Sequence, residues 1–250
     1  MKKYPILFDY SKRLYEESKR NPKLVFTDDI EANNLVKDLK NYPHAFVLAC
    51  CMDRQYKSEK CWMIPYRIKE IIGSFDINEL GKISQEEYIR IFDEHNLHRL
   101  KKDMPIYFHS AVQLILNKYN GDASLIWTDN PSSSTVVCNF LEFKGIGVKI
   151  ATMATNILAR EFNVPMSDMF AIDISPDTHV RRVLSRMGIT PDNPSNEQII
   201  YAAKALYPEY PGIYDYSIWK IGRELCLPDK PKCEECIVKS ECKYYNEHKM

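Results

Sequence analysis

Residues 134–161 read STVVCNFLEFKGIGVKIATMATNILARE. On both sides of the glycines the apolar side chains recur at the three- and four-residue spacing of one helix face, which predicts helices over 134–142 and 148–161. Gly145-Ile146-Gly147 predicts a tight turn between them, because glycine adopts the positive φ angles that such turns need. We therefore predict two helices joined by a glycine hairpin, and the second helix offers free backbone N–H groups to a phosphate.

The same periodicity continues outside this stretch. Residues 29–40, 84–95 and 104–119 also space their apolar side chains along one helix face. The one long irregular segment, 163–177, contains two prolines and predicts a connection between two helical lobes. Together these patterns predict an all-α fold.

Composition excludes several classes of protein. Of the 250 residues, 45% are hydrophobic and 27% are charged, which is typical of a globular protein and not of a disordered one. The 34 basic and 34 acidic side chains balance, so binding to nucleic acid would need a local basic surface. No apolar stretch is long enough to span a membrane, and the charged N-terminus has no apolar signal core. We expect a cytoplasmic protein without membrane contact, and a monomer by default.

Four of the eight cysteines crowd together near the C-terminus. They are spaced Cys226-x6-Cys233-x2-Cys236-x5-Cys242. Soft sulfur ligands at this density predict a zinc ion or an iron–sulfur cluster. A zinc ribbon normally has two C-x2-C pairs, whereas this stretch has one between longer loops. An iron–sulfur cluster is therefore favoured, and zinc stays the alternative.

Two charged side chains beside helix starts are candidate catalytic groups. Lys149 lies in the first turn of the helix over 148–161, where the helix dipole disfavours a cation, so its amine is expected to release a proton readily. A neutral amine forms Schiff bases, whereas a protonated one contacts phosphate, and the sequence allows both. Asp177 precedes a helix and can be a cap or a general base, and Asp173 competes for the second role.

The hairpin, the aspartate and the cysteine spacing, in this order, resemble the endonuclease III branch of the helix-hairpin-helix DNA glycosylases. The resemblance rests on residues 143–151 (FKGIGVKIA), residues 176–183 (PDTHVRRV) and the spacing of the four cysteines. It covers the chain from about residue 105 to the end and extends more weakly from about residue 43. It implies a base-excision repair enzyme whose partner is duplex DNA with a damaged, modified or abasic nucleotide.

The resemblance also implies roles for individual residues. Lys149 would attack C1′ of the sugar, expel the base and cut the strand by β-elimination. Asp177 would stabilise the sugar cation or help to activate the nucleophile, with Asp173 as the alternative. Gly145 and Gly147 would bind phosphate within the hairpin that runs from Lys144 to Gly147. The four cysteines would hold a structural [4Fe-4S] cluster.

The implied architecture has two helical lobes with a DNA-binding cleft between them. Residues 43–162 would form a six-helix barrel lobe that contains the helix-hairpin-helix at 134–161. Residues 163–250 would form a cluster lobe with the [4Fe-4S] loop at 226–242. Residues 1–42 would be helices that pack with the cluster lobe.

Several lysines and the segment at 48–55 are further candidates for contact with DNA. Lys144 replaces the usual hairpin proline and joins Ile146 among the expected DNA contacts. Lys230 and Lys232 add charge beside the cysteines, which suits contact with phosphates or plain solvation. The segment at 48–55 lies where relatives carry a glutamine that fills the hole left by the flipped base, and its candidates are Met52 and Gln55.

Two other functions fit the same residues. A single-function glycosylase would use water, with Asp177 as its base and Lys149 only touching phosphate. A non-catalytic iron–sulfur protein would bind DNA without cutting it. Because both Lys149 and Asp177 are present, we expect an enzyme: a DNA N-glycosylase with associated abasic-site lyase activity.

Overall fold

The computed structural model describes residues 3–22 and 25–248, and within these ranges the chain forms helices and no strand. The α-helices of these ranges are α1 (Pro5–Arg20), α2 (Ile30–Lys37), α3 (Pro43–Met52), α4 (Ser58–Ile72), α5 (Ile77–Gly81), α6 (Gln85–Glu94), α7 (Met104–Lys118), α8 (Ser133–Leu141), α9 (Val148–Arg160), α10 (Thr178–Met187), α11 (Asn196–Leu206), α12 (Ile213–Glu224) and α13 (Lys243–Glu247). Short 3-10 helices span Ala123–Ile126, Cys233–Glu235 and Lys239–Glu241. The predicted all-α fold is confirmed. None of the helices described is both long enough and apolar enough to cross a membrane.

The five helices predicted from periodicity form as α2, α6, α7, α8 and α9. Their ends lie within three residues of the predicted ends. Two predicted first residues are N-caps and not helical: Asp29 accepts a hydrogen bond from the Ala32 N–H, and Ser84 accepts one from the Glu87 N–H. Each cap supplies an acceptor that the first helical turn lacks, which is why the helix begins one residue later.

The chain divides into two compact units. The hairpin unit comprises Leu24–Pro131 and Cys138–Ala154, and the cysteine unit comprises Met1–Lys23, Ser132–Val137 and Thr155–Met250. The N-terminal boundary lies near residue 24 and not at the predicted residue 42, because α2 packs against α3 and α4. The division also passes through α8 and α9, so the helices on either side of the hairpin contribute to both units.

The centre of the hairpin unit is α3. Its sequence, PHAFVLACCM, is apolar except for His44, and all ten residues are buried. The helix packs against α4 and α7, and His44 Nε2 lies 2.8 Å from the carbonyl oxygen of Phe75. A helix that is apolar on all sides has to be covered on all sides. The position of α3 therefore determines where the chain emerges at Asp53.

The centre of the cysteine unit is the pair α10 and α12, and α1 packs against α12. Val180 and Ile218 are buried where their apolar faces meet. Arg182 donates hydrogen bonds to the carbonyl oxygens of Gly222 at 2.7 Å and Cys226 at 2.6 Å. These bonds hold the chain against α10 at the point where it leaves α12 and enters the cysteine loop.

Candidate functional site

The hairpin between α8 and α9 lines an open cavity of about 470 Å³ within the hairpin unit. The lining residues of the hairpin and of α9 are Gly145, Ile146, Gly147, Lys149 and Ile150. Three more follow α3: Asp53, Arg54 and Gln55. We call this space the hairpin cavity. It brings together two segments that are about 90 positions apart in the chain.

Lys149 is the second residue of α9, and its side chain is exposed while it lines the hairpin cavity. The N–H groups in the first turn of a helix lack intrahelical acceptors, so this end of α9 attracts anions. An exposed lysine and a helix end that attracts anions therefore lie together. The role of Lys149 stays a prediction, but its placement satisfies what that role requires.

Gly145 is the hairpin position that only glycine can occupy. Its φ is +92°, and an added Cβ would lie 2.5 Å from Cδ2 of Tyr107. Gly147 differs, because an added Cβ there would meet nothing within 4 Å. The expected positive φ is therefore found at Gly145, whereas Gly147 keeps the space in front of α9 open.

Tyr107 on α7 packs against the hairpin, and two cationic side chains lie beside its ring. The Lys144 ammonium lies 5.5 Å from the centre of the Tyr107 ring, and the Arg54 guanidinium lies 5.8 Å from it. Arg54 Nη1 also donates to the carbonyl oxygen of Gly145 at 3.4 Å. Arg54 and Tyr107 were not predicted as site residues, and only their approach to the hairpin identifies them.

The candidates for contact with a base or with DNA differ in how much of each side chain is exposed. Met52 is fully buried in α3, so its side chain is not placed to fill a hole in DNA, and this candidate is withdrawn. Gln55 is exposed, has φ +49° and lines the hairpin cavity, which suits the wedge role. Ile146 is 7% exposed and packs inward, so it can support the hairpin but offers DNA little more than its backbone.

Asp53 is a further cavity residue that was not predicted. It is the C-cap of α3, is half-buried and lines the same cavity as Lys149. Burial raises the pKa of the Asp53 carboxyl, the Lys149 charge lowers it in part, and Glu59 raises it again. An acidic residue directly after a helix is not a typical C-terminal signal, and nothing in the local sequence links Asp53 to the hairpin.

The two aspartates predicted as catalytic lie in the cysteine unit. Asp177 is half-buried and caps α10 by accepting the N–H of Val180 at 2.7 Å. Asp173 is 9% exposed, and its carboxylate lies 3.2 Å from Lys204 Nζ. Burial raises the pKa of Asp173, and Lys204 lowers it in part. Asp173 thus already has a cation as its partner, whereas Asp177 keeps a more exposed carboxylate.

The four cysteines predicted to bind a metal centre line one cavity of the cysteine unit. They are Cys226, Cys233, Cys236 and Cys242. Apolar side chains of α10 and α12 line it as well, among them Met187 and Ile221. Four soft sulfur donors around one apolar cavity are a suitable donor set for a metal–sulfur centre. In residues 3–22 and 25–248, no three His, Cys, Asp or Glu side chains are spaced as ligands of a single ion.

Arg186 on α10 is the cation beside these sulfurs. Its Nη1 lies 3.4 Å from Cys226 Sγ, and its guanidinium donates to the carbonyl oxygens of Leu227 and Pro228, both at 2.7 Å. The same group lies 4.9 Å from the centre of the Tyr244 ring. Its positive charge would compensate the negative charge of thiolate ligands, and its hydrogen bonds hold the start of the six-residue loop.

Lys230 and Lys232, in that loop, are exposed. The backbone N–H of Lys232 donates to the carbonyl oxygen of Leu225 at 2.8 Å, which closes the loop at its base. Both ammonium groups are therefore presented to solvent on a braced backbone. Contact with phosphate stays a prediction for both.

Comparison with known proteins identifies relatives of the chain. No protein-family model matches it. Endonuclease III of Thermotoga maritima is 28% identical over 168 residues, which are 67% of this chain and 68% of that protein. Endonuclease III of Sulfolobus acidocaldarius is 30% identical over 105 residues, which are 41% of this chain and 42% of that protein. A solved non-covalent endonuclease III–DNA complex superposes with a TM-score of 0.59 at 18% identity, covering 96% of each chain.

The sequence matches and the structural superposition all involve proteins named endonuclease III. The aligned stretch spans about two thirds of the Thermotoga protein and less than half of the Sulfolobus protein. The superposition shows the same all-α fold over nearly the whole chain. The chain is therefore similar in sequence to proteins named endonuclease III and shares the fold of a solved endonuclease III.

Proposed function

We propose that this protein removes a damaged or modified base from duplex DNA and cuts the strand at the resulting abasic site. The observation that carries the proposal is the position of Lys149, an exposed lysine that lines one cavity with the glycine hairpin. The start of α9 supplies an anion site and Lys149 a nucleophile. A Schiff-base reaction on the sugar of DNA needs both. The match to proteins named endonuclease III supports the same activity.

Binding rests on contacts with the DNA backbone. The first turn of α9 and the exposed ammonium groups of Lys144, Lys230 and Lys232 suit phosphates. Such contacts position a duplex without reading its sequence. Enzymes that act on a base inside a duplex flip it out of the stack, and we assign Gln55 to the space that the flipped base leaves.

The reaction begins at C1′ of the damaged nucleotide. Lys149 Nζ forms a bond to C1′ while the glycosidic bond breaks, and the electron pair of that bond leaves with the base. The C1′–O4′ bond then breaks, O4′ takes up a proton, and a Schiff base forms between Nζ and C1′. Removal of a proton from C2′ of the Schiff base expels the 3′ phosphate by β-elimination, and water releases Lys149. We assign Asp177 to stabilising the positive charge that develops on the sugar. Asp173 is the weaker candidate, because Lys204 already pairs with it.

We further propose that Cys226, Cys233, Cys236 and Cys242 hold a [4Fe-4S] cluster. Bound there, the cluster would supply a structural cross-link that ties the loop over 226–242 to α10 and α12. The shared cavity and the neighbouring Arg186 charge support this assignment. Reduced thiols are maintained in the cytoplasm, which is the location that we propose.

Borohydride trapping tests the proposed function. The protein is mixed with duplex DNA that contains one abasic site, and the covalent adduct is quantified after reduction with borohydride. We expect an adduct with the wild type and none with Lys149→Ala. The control is Lys101→Ala, which removes an exposed lysine paired with Asp93 and should leave trapping unchanged.

Two results would contradict the proposal in different ways. Wild-type protein that binds the duplex but forms no adduct would refute the lyase step. Release of a damaged base by Lys149→Ala at the wild-type rate would show that water, and not Lys149, is the nucleophile.

A further inference from the structure

Asp53 and Lys149 carry opposite charges and both line the hairpin cavity, where Arg54 is a third charged residue. Asp53 ends α3, and Lys149 begins α9. The Lys149 charge acts on the Asp53 carboxyl, so the two groups are electrostatically coupled. A nucleophilic lysine needs an acceptor for its proton, and Asp53 is the acidic residue that lines this cavity.

Each of these charges lies at the helix end that disfavours it. The C-terminal end of a helix carries partial negative charge, which opposes the Asp53 carboxylate. The N-terminal end carries partial positive charge, which opposes the Lys149 ammonium. Moving one proton from Lys149 to Asp53 removes both conflicts, so the placement of the two groups at these helix ends suits a proton transfer in that direction.

Among the other groups near Asp53, Glu59 acts in the same direction, the Cys61 thiol is uncharged, and the Arg54 cation contacts the hairpin. Burial is the largest influence and raises the pKa of Asp53, and Glu59 on α4 raises it further, whereas Lys149 lowers it. The Cys61 thiol, whose pKa is raised to about 12, is uncharged near neutral pH. Arg54 directs its guanidinium to the Gly145 carbonyl and the Tyr107 ring. A carboxylate with a raised pKa is a better base for work near neutral pH.

We propose that Asp53 is the positioning residue that accepts the proton of Lys149 and so prepares its amine for attack. The inference rests on the proposed function, since it concerns the same lysine. At an abasic site, the ammonium proton passes to the Asp53 carboxylate, and the neutral Nζ bonds to the C1′ aldehyde carbon. The proton then returns to the C1′ hydroxyl, which leaves as water, and the protonated Schiff base remains. No oxidant or further reactant is needed.

The test is the pH dependence of trapping on abasic DNA for wild type and Asp53→Asn. Asparagine keeps the shape of the side chain but accepts no proton. We expect the variant to trap about 100-fold more slowly near neutral pH, a typical loss for a missing general base. Its rate should then rise with pH as Lys149 loses its proton unaided. Asp53→Glu keeps a carboxylate and should recover part of the rate with a profile shaped like that of the wild type.

A carboxylate that only paired with the Lys149 ammonium would produce the opposite change. Its removal would favour the neutral amine, so Asp53→Asn would trap as fast as wild type or faster, which would overturn the inference. Glu79→Gln is the charge control, because Glu79 lies outside the cavity lining and pairs with Lys82 at the surface, and its profile should match the wild type.

The same experiment separates this inference from the proposed function. Binding to a duplex with a tetrahydrofuran abasic analogue confirms that each variant is folded and competent. A wild type that binds but never forms an adduct refutes the lyase function and this inference together. A wild type that forms the adduct, with an unchanged profile in Asp53→Asn, refutes only the role of Asp53.

Discussion

At the scale of single residues, Gly145 and Gly147 look equivalent in the sequence but have different surroundings. Gly145 combines a φ of +92° with the ring of Tyr107 at the place where a Cβ would lie, whereas Gly147 has open space. Gly145→Ala is therefore expected to lower the free energy of unfolding by about 2 kcal/mol or more. Gly147→Ala should change it by less than about 0.5 kcal/mol, because nothing has to move. Urea unfolding of both variants measures the difference.

The two glycine variants also distinguish an effect on stability from an effect on DNA binding. The methyl group of Gly147→Ala would project into the hairpin cavity, so this stable variant is expected to bind abasic duplex more weakly than the wild type. Equal losses of stability in the two variants would show that Tyr107 does not restrict Gly145 in solution.

At the scale of elements, α1 depends on a residue from the other end of the chain. Tyr4, its N-cap, makes no side-chain capping hydrogen bond. Glu241 instead accepts the N–H of Ile6 at 2.7 Å and of Leu7 at 3.0 Å. This carboxylate satisfies two N–H groups that lack helical acceptors and is favoured by the helix dipole.

Glu241→Gln is therefore expected to lower the free energy of unfolding by about 1 kcal/mol, as the loss of a helix cap does. Chemical denaturation followed by helical circular dichroism measures it. The matched control is Glu247→Gln on α13, whose exposed pair with Lys243 is worth at most about 0.5 kcal/mol. A change as small as that of the control would mean that α1 is held by its apolar face alone.

At the scale of the whole molecule, the cysteine loop is the segment whose fold we expect to depend on the proposed cluster. If the proposed cluster is present, the purified protein should contain about four iron and four sulfide ions per chain. Cys236→Ser should lose most of that iron and unfold several degrees lower, because metal binding contributes to folding free energy. Cys138→Ser, at an exposed cysteine outside the set, should keep both. Stoichiometric zinc in place of iron would contradict the cluster assignment.

The helices and their order follow from the sequence because apolar spacing is a local property. The periodicity over 29–40, 84–95 and 104–119 predicted α2, α6 and α7 to within three residues. The unit boundary near residue 24 could not be predicted this way, because it depends on which neighbours α2 packs against.

The residues of the candidate site also fall into those that local sequence identifies and those that only the tertiary structure identifies. Lys149, the hairpin glycines and the four cysteines stand in short motifs, so their residue types and spacing determined them without a structure. Asp53, Arg54 and Tyr107 are distant in sequence from the hairpin, and only tertiary packing brought them to it. The burial of Met52 was likewise decided by the cover that α4 and α7 place over α3. Local spacing encodes helices and short motifs, whereas contacts between distant segments depend on how the whole chain packs.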